Sequence, residues 1–177
     1  MTHLHRATRL IAHQTGGADL YSIHDSYYGT LNDIGALTPN DSYTEHSDEI
    51  TPFGMIKLTH ICKTIMRITP NPGMIYPAVP GDVKYIIHES FHSGTINTGS
   101  DTYRSFFDQM YARRIPVYLT GTVSGPGYES TDEYAGMHIT CIPGISPIAL
   151  YMKLWIADSA GMVAPDVIAH SLGGDLP

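Results

Sequence analysis

Val83-Lys84-Tyr85-Ile86-Ile87 runs directly into His88-Glu89-Ser90-Phe91-His92-Ser93-Gly94-Thr95. A short run rich in β-branched and aromatic residues, closed by a polar stretch with Ser and Gly, reads as a buried strand passing into a loop. The pattern recurs downstream. Ile115-Pro116-Val117-Tyr118-Leu119-Thr120 is a second strand. Ile145-Ser146-Pro147-Ile148-Ala149-Leu150-Tyr151-Met152-Lys153-Leu154 is a helix, with Ser146 at its N-cap and Pro147 at its first helical position. Strands and helices in alternation point to an α/β fold, a small open parallel sheet of about four strands flanked by helices, with an N-terminal helix-strand appendage. In such sheets ligands bind at the loops that follow the strands' carboxyl ends.

Working outward, Thr64-Ile65-Met66-Arg67-Ile68 is a further strand, stopped by Pro70-Asn71-Pro72-Gly73. About a dozen residues separate it from the strand at 83–87, which predicts a short, tight parallel crossover. Tyr103 to Arg113 is a helix with Phe106, Phe107, Met110 and Tyr111 on one face and Arg113-Arg114 at its C-terminal end. Gly121 to Asp132 reads as a loop. The helix from Ser146 reaches about Ala160 and ends at Gly161, and Asp166 to His170 begins a last short helix. At the N-terminus, Leu4, Ala7, Leu10 and Ile11 sit at helical spacing over residues 4–13, and Gly16-Gly17 close that helix. Ala18 to His24 reads as a short strand with Ser26 to Thr30 as a hairpin partner. Residues 35–54 carry turn formers without periodicity, so a boundary falls near Pro52-Phe53-Gly54 and divides the chain into 1–55 and 56–177.

Composition narrows the function. With 42% hydrophobic and 15% charged residues the chain is that of a folded globular protein. Its formal charge of -7 argues against a nucleic-acid or anionic-membrane partner, both of which need clustered Lys and Arg. Cys62 and Cys141 lie far apart among apolar residues, as free thiols of a reducing compartment do. The N-terminal residues carry no signal-peptide pattern and no stretch approaches a bilayer-spanning length, so the expected location is the cytoplasm.

Several motifs carry a chemical and a bland reading. His88-Glu89-Ser90-Phe91-His92 fits H-E-x-x-H, which binds zinc when a helix brings both His to one face with the Glu beside the metal-bound water. Here it follows a strand pattern and precedes Ser-Gly-Thr, so His88 and Glu89 finish a strand and His92 belongs to a loop. No metal and no cofactor is expected, and no glycine-rich phosphate loop is present. Ala169-His170-Ser171-Leu172-Gly173 imitates a nucleophile elbow, but the acid and His partners that should follow it have no room in the four residues after Gly173. Thr15-Gly16-Gly17 reads as a helix cap.

In order along the chain, Ile65-Met66-Arg67-Ile68-Thr69-Pro70-Asn71-Pro72-Gly73, Val83 to Ile87 with Phe91-His92-Ser93-Gly94-Thr95, Arg114 to Leu119, Ile145 to Leu154 and the tail Gly173-Gly174-Asp175-Leu176 form a specific series. From about Lys57 to Leu176 the chain resembles the C-terminal domain of the bacterial asparaginase/glutaminase family of threonine amidohydrolases. The resemblance implies an asparaginase C-terminal-domain-like sheet in 56–177, and makes 1–55 the end of the family's N-terminal domain with its linker. It implies hydrolysis of L-asparagine to L-aspartate and ammonia as the family reaction. The family's nucleophilic T-G-G-T-I loop and its G-T-D-T segment are missing here, so no catalytic residue is assigned and this chain alone is expected to be inactive. In the family the C-terminal domain lends side chains to a neighbouring subunit's site, which makes Asn97, Asp101 and Glu129 the substrate-binding candidates; read without the family, they cap helices or solvate loops. A small amide, asparagine or glutamine, is then a ligand only after completion by a catalytic half. A homo-oligomer or an N-terminal-half partner is expected, because Tyr21, Ile23, Tyr27, Tyr28 and Leu31 would otherwise lack cover. Two other readings remain: one subunit of a split amidohydrolase, and a non-catalytic binding module.

Overall fold

The computed structural model describes residues 2–11, 20–44, 56–62, 64–91, 93–122 and 129–176, with the backbone alone at 11, 24 and 129–132. In chain order the elements are β1 (Thr2–Leu4), β2 (Leu10–Ile11), β3 (Tyr21–Ser22), β4 (Gly29–Leu31), β5 (Leu37–Pro39), β6 (Ile65–Ile68), β7 (Tyr85–Glu89), α1 (Asp101–Ala112), β8 (Val117–Thr120), α2 (Glu129–Gly136), β9 (Ile139–Cys141), α3 (Pro147–Ala160) and α4 (Ala164–Ala169). Contacts group them into two compact units, His60–Pro143 and Met1–Thr59 with Gly144–Pro177. The segment from Gly144 onward, read from sequence together with the sheet, groups with the N-terminal residues.

The unit 60–143 holds the expected parallel sheet. Its four strands are ordered β6-β7-β8-β9, with Ile65 opposite Tyr85, Ile86 opposite Val117 and Val117 opposite Ile139. All four residues of β8 are buried, the mark of a parallel strand covered on both faces. Ile86, Ile87 and Leu119 have no exposed surface, and they join Phe106, Phe107, Met110, Tyr134, Met137 and Ile139 in one core. Burying each such side chain contributes about 1.5–3 kcal/mol. The crossover from β6 to β7 is short and non-helical, as its length predicts, and Met74, Tyr76 and Val79 pack from it onto the core.

Two features of this unit depart from expectation. Tyr111, assigned to the apolar face of α1, is 61% exposed, while Phe106, Phe107 and Met110 are buried. The loop assigned to Gly121–Asp132 gives way to α2 at Glu129, and β9 then adds a strand. Neither element has a strong local signal, since α2 offers Ser, Thr and Asp around the single apolar anchor Tyr134 and β9 is three residues long. The anchor's hydroxyl accepts a hydrogen bond from the Ile96 amide (3.0 Å), so a tertiary contact fixes the helix.

In the other unit the predicted helix over residues 4–13 is corrected. Residues 2–4 form β1, Ala7–Arg9 make a 3₁₀ turn and Leu10–Ile11 form β2; residues 12 and 13, with the predicted cap at Gly16-Gly17, lie outside the described residues. The side chain that goes inside is Arg9, which is fully buried. Its guanidinium donates to the carbonyls of Gly174 (2.9 Å) and Leu176 (3.0 Å) and lies 4.6 Å from the centre of the Tyr43 ring. These distant partners override the helical spacing. Of the strand expected over 18–24, residues 18 and 19 lie outside the described residues, and among the rest Tyr21–Ser22 forms a strand, paired with β2. β4 pairs antiparallel with β1 and β5, and Gly29 is needed there because a Cβ would lie 2.6 Å from the Thr38 carbonyl. Ile23, counted among the uncovered apolar residues, is 5% exposed, while Tyr21 and Tyr28 stay exposed. α3 matches its reading: the Ser146 hydroxyl accepts from the Ala149 amide, and Gly161 closes the helix at φ 69°. No helix among the described residues is long and apolar enough to cross a membrane.

Candidate functional site

The sheet order is sequential, so no reversal of strand order opens a crevice within it. Functional groups at its carboxyl edge therefore depend on the loops after β6, β7 and β8. His88, the penultimate residue of β7, is fully buried. Its Nδ1 lies 2.6 Å from the Glu89 carbonyl oxygen and its Nε2 2.9 Å from the Tyr76 hydroxyl. A carbonyl only accepts, so Nδ1 carries the proton, Nε2 accepts, and the Tyr76 hydroxyl donates. Burial lowers the His88 pKa from 6.5, partly offset by the Glu89 carbonyl and the Glu89 charge. The Tyr76 phenol is pushed up, first by burial and then by Tyr103. The ring stacks on Phe106 at 4.1 Å and meets Tyr103 and Phe107 edge-on. A neutral imidazole with its proton on Nδ1 is thus held beside Tyr76 and Phe107.

Glu89 turns the other way. Its Oε1 accepts from Arg67 Nε (2.5 Å) and from Thr69 Oγ1 (2.9 Å), tying the ends of β6 and β7 together. The zinc arrangement is therefore not built on this element, because His88 lies on a strand, both of its ring nitrogens are engaged and Glu89 holds an arginine. His92 lies outside the described residues. No group of three or more His, Cys, Asp or Glu among the described residues is arranged to hold a metal.

A cavity of about 70 Å³ opens beside this pair, lined by residues that include Tyr76, His88, Asn71, Asn97 and Tyr103. Asn97 thereby shares a cavity with the imidazole, although its Oδ1 accepts from the Gly99 amide (3.0 Å) in a local turn. Asp101 is the first residue of α1, where a carboxylate suits the helix dipole, and it does not line the cavity. Glu129 opens α2, and its side chain lies outside the described ones. Of the two candidates whose side chains are described, Asn97 lines the cavity and Asp101 does not.

Sequence reading passes over the end of β8. Gly121 has φ +78°, and a Cβ there would lie 2.4 Å from Ser90 Oγ. The Ser90 amide donates to the Thr120 carbonyl (3.0 Å). On either side of Gly121, the Thr120 and Thr122 hydroxyls are buried with no hydrogen-bond partner among the described residues. Thr-Gly-Thr after a strand was the only available signal. Chemically, this edge offers hydroxyls and amides, a set that suits binding a carboxylate or carbonyl oxygen; among the described residues it contains no activated nucleophile.

The chain matches no protein-family model and no curated protein sequence.

Proposed function

We propose that the chain is an asparaginase-family C-terminal portion, whose family reaction hydrolyses L-asparagine to L-aspartate and ammonia, and that it acts by completing a catalytic half rather than by catalysing alone. The observation that carries this reading is order. The resembling segments fall successively on β6, β7 with its loop, β8, α3 and the tail, and the strands among them pair in parallel in that same order. A second support is that the last two segments meet: Lys153 of the helix pairs with Asp175 of the tail. The lack of a T-G-G-T-I loop and a G-T-D-T segment supports inactivity of this chain alone, since a side-chain nucleophile works only with an activating partner in reach. In this reading Asn97, Asp101 and Glu129 contribute to binding the amide from the carboxyl-edge loops, and the enzyme is a homo-oligomer or a pair with a separate N-terminal half.

The test is ammonia release from asparagine and glutamine. Purified chain is expected to release none, and release is expected when it is mixed with an asparaginase N-terminal domain carrying the threonine loop. Sustained release by the chain alone, reproduced over independent preparations, would refute its incompleteness. Failure to associate with any such domain would favour a non-catalytic binding module.

A further inference from the structure

A second cavity of the sheet unit lies at the opposite edge, before β8 and β9. It measures about 790 Å³, and its floor is apolar, formed by Phe107, Ile115, Val117 and Ile139. That volume and lining are typical of small-molecule sites. Its rim is aromatic and basic. Tyr111 lies face to face with His138, ring centres 3.6 Å apart and planes 9° from parallel, yet both residues are exposed. Arg114 completes the rim, and no Asp or Glu among the described residues lines the groove, in a chain of net charge -7.

The backbone adds an independent sign. Arg114 and His138 hold φ of 58° and 60°, in the left-handed region that favours glycine. Each follows a helix, and each amide bonds back to it, Arg114 to the Tyr111 carbonyl (2.9 Å) and His138 to that of Ala135 (3.0 Å). Glycine would hold both positions without strain. Helix polarity explains a basic residue after α1 but not one at this position. Arg113 already provides it at an ordinary φ of -80°, with its guanidinium on the Val79 and Pro80 carbonyls. Strained residues that gather at one concave surface point to function.

We propose that this groove binds a small planar aromatic anion, with the ring seated against the Tyr111–His138 platform and the apolar floor and the negative group on Arg114. A guanidinium suits either a carboxylate or a phosphate, so the ligand is an aromatic carboxylate or a nucleoside monophosphate. This site is separate from the carboxyl edge and does not rest on the amidohydrolase reading.

The experiment is calorimetric titration of the full chain with adenosine monophosphate and with indole-3-carboxylate, each beside its neutral counterpart, adenosine or indole-3-carboxamide. At least one anion is expected to bind with a Kd below about 1 mM, and roughly tenfold or more tighter than its neutral counterpart. Which anion binds identifies the source. Arg114→Gly and His138→Gly relieve the backbone, so both variants are expected to keep or raise Tm while losing that affinity. The proposal is overturned if neither anion binds at millimolar concentration, if the neutral compounds bind equally well, or if Arg114→Gly folds and binds unchanged.

Discussion

Lys153 and Asp175 form an ion pair, Nζ to Oδ2 3.1 Å, with side chains only 1% and 3% exposed. The ammonium also donates to the Ile168 and His170 carbonyls, and Asp175 Oδ1 accepts from the Leu172 amide. Three donors thus meet three acceptors, which is what makes a buried charge tolerable. Burial lowers the Lys153 pKa, and Asp175 counteracts part of that. The same tail is held from the N-terminal side by Arg9, and by Arg6 and Thr8 on the Gly173 carbonyl.

Removing one partner should therefore be worse than removing both. Asp175→Ala leaves the ammonium buried without its charge partner and is expected to cost about 3–5 kcal/mol. Lys153→Met with Asp175→Leu should cost much less than the sum of the single changes. Urea unfolding followed by Trp155 fluorescence measures the cycle, and additive losses would mean that the pair is not coupled.

His88 should make the sheet unit sensitive to acid. Its folded pKa lies below the unfolded value of 6.5, so below that pH the unfolded chain takes up the proton first and stability falls with decreasing pH. The loss levels off beneath the folded pKa. Hydrogen exchange of the β7 amides at pH 7.5 and 5.5 should show the decline, and His88→Gln, which still offers Tyr76 an acceptor, should remove the His-dependent part of it.

Gly121→Ala meets two obstacles, the left-handed φ and Ser90 Oγ at 2.4 Å. The expected destabilisation is about 1–3 kcal/mol. Adding Ser90→Ala should recover the steric part and leave about 1–2 kcal/mol of backbone strain. Thermal unfolding of the single and double variants separates the two.

Self-association is expected from the exposed apolar surface of Tyr21, Tyr28, Leu37 and Ile34, the last 89% exposed. Light scattering at roughly 10–50 µM, a range where weak apolar association begins to show, should report a dimer or larger species. A clean monomer would mean that this surface stays bare.

How much of this was legible depends on where each element's partners lie. α3 was readable to its ends because its signals are local: a serine three residues before the amide it caps, a proline at the first turn, a glycine free to close the last. β7 and β8 were readable as contiguous apolar runs, and with them the parallel α/β class. Asn97 could be placed on a loop from Ser93-Gly94 alone, but not beside an imidazole whose partner, Tyr76, arrives from a crossover without regular structure. That the Thr120 and Thr122 hydroxyls find no partner among the described residues is likewise a fact of packing. Residues 4–13 mark the boundary most clearly. Their spacing specifies a helix, yet Arg9 finds its carbonyl partners 165 and 167 residues away. Caps and periodicity act within one helical turn and are written in neighbouring residues; a buried charge is satisfied only by groups that the folded chain brings to it, and those the tertiary structure alone decided.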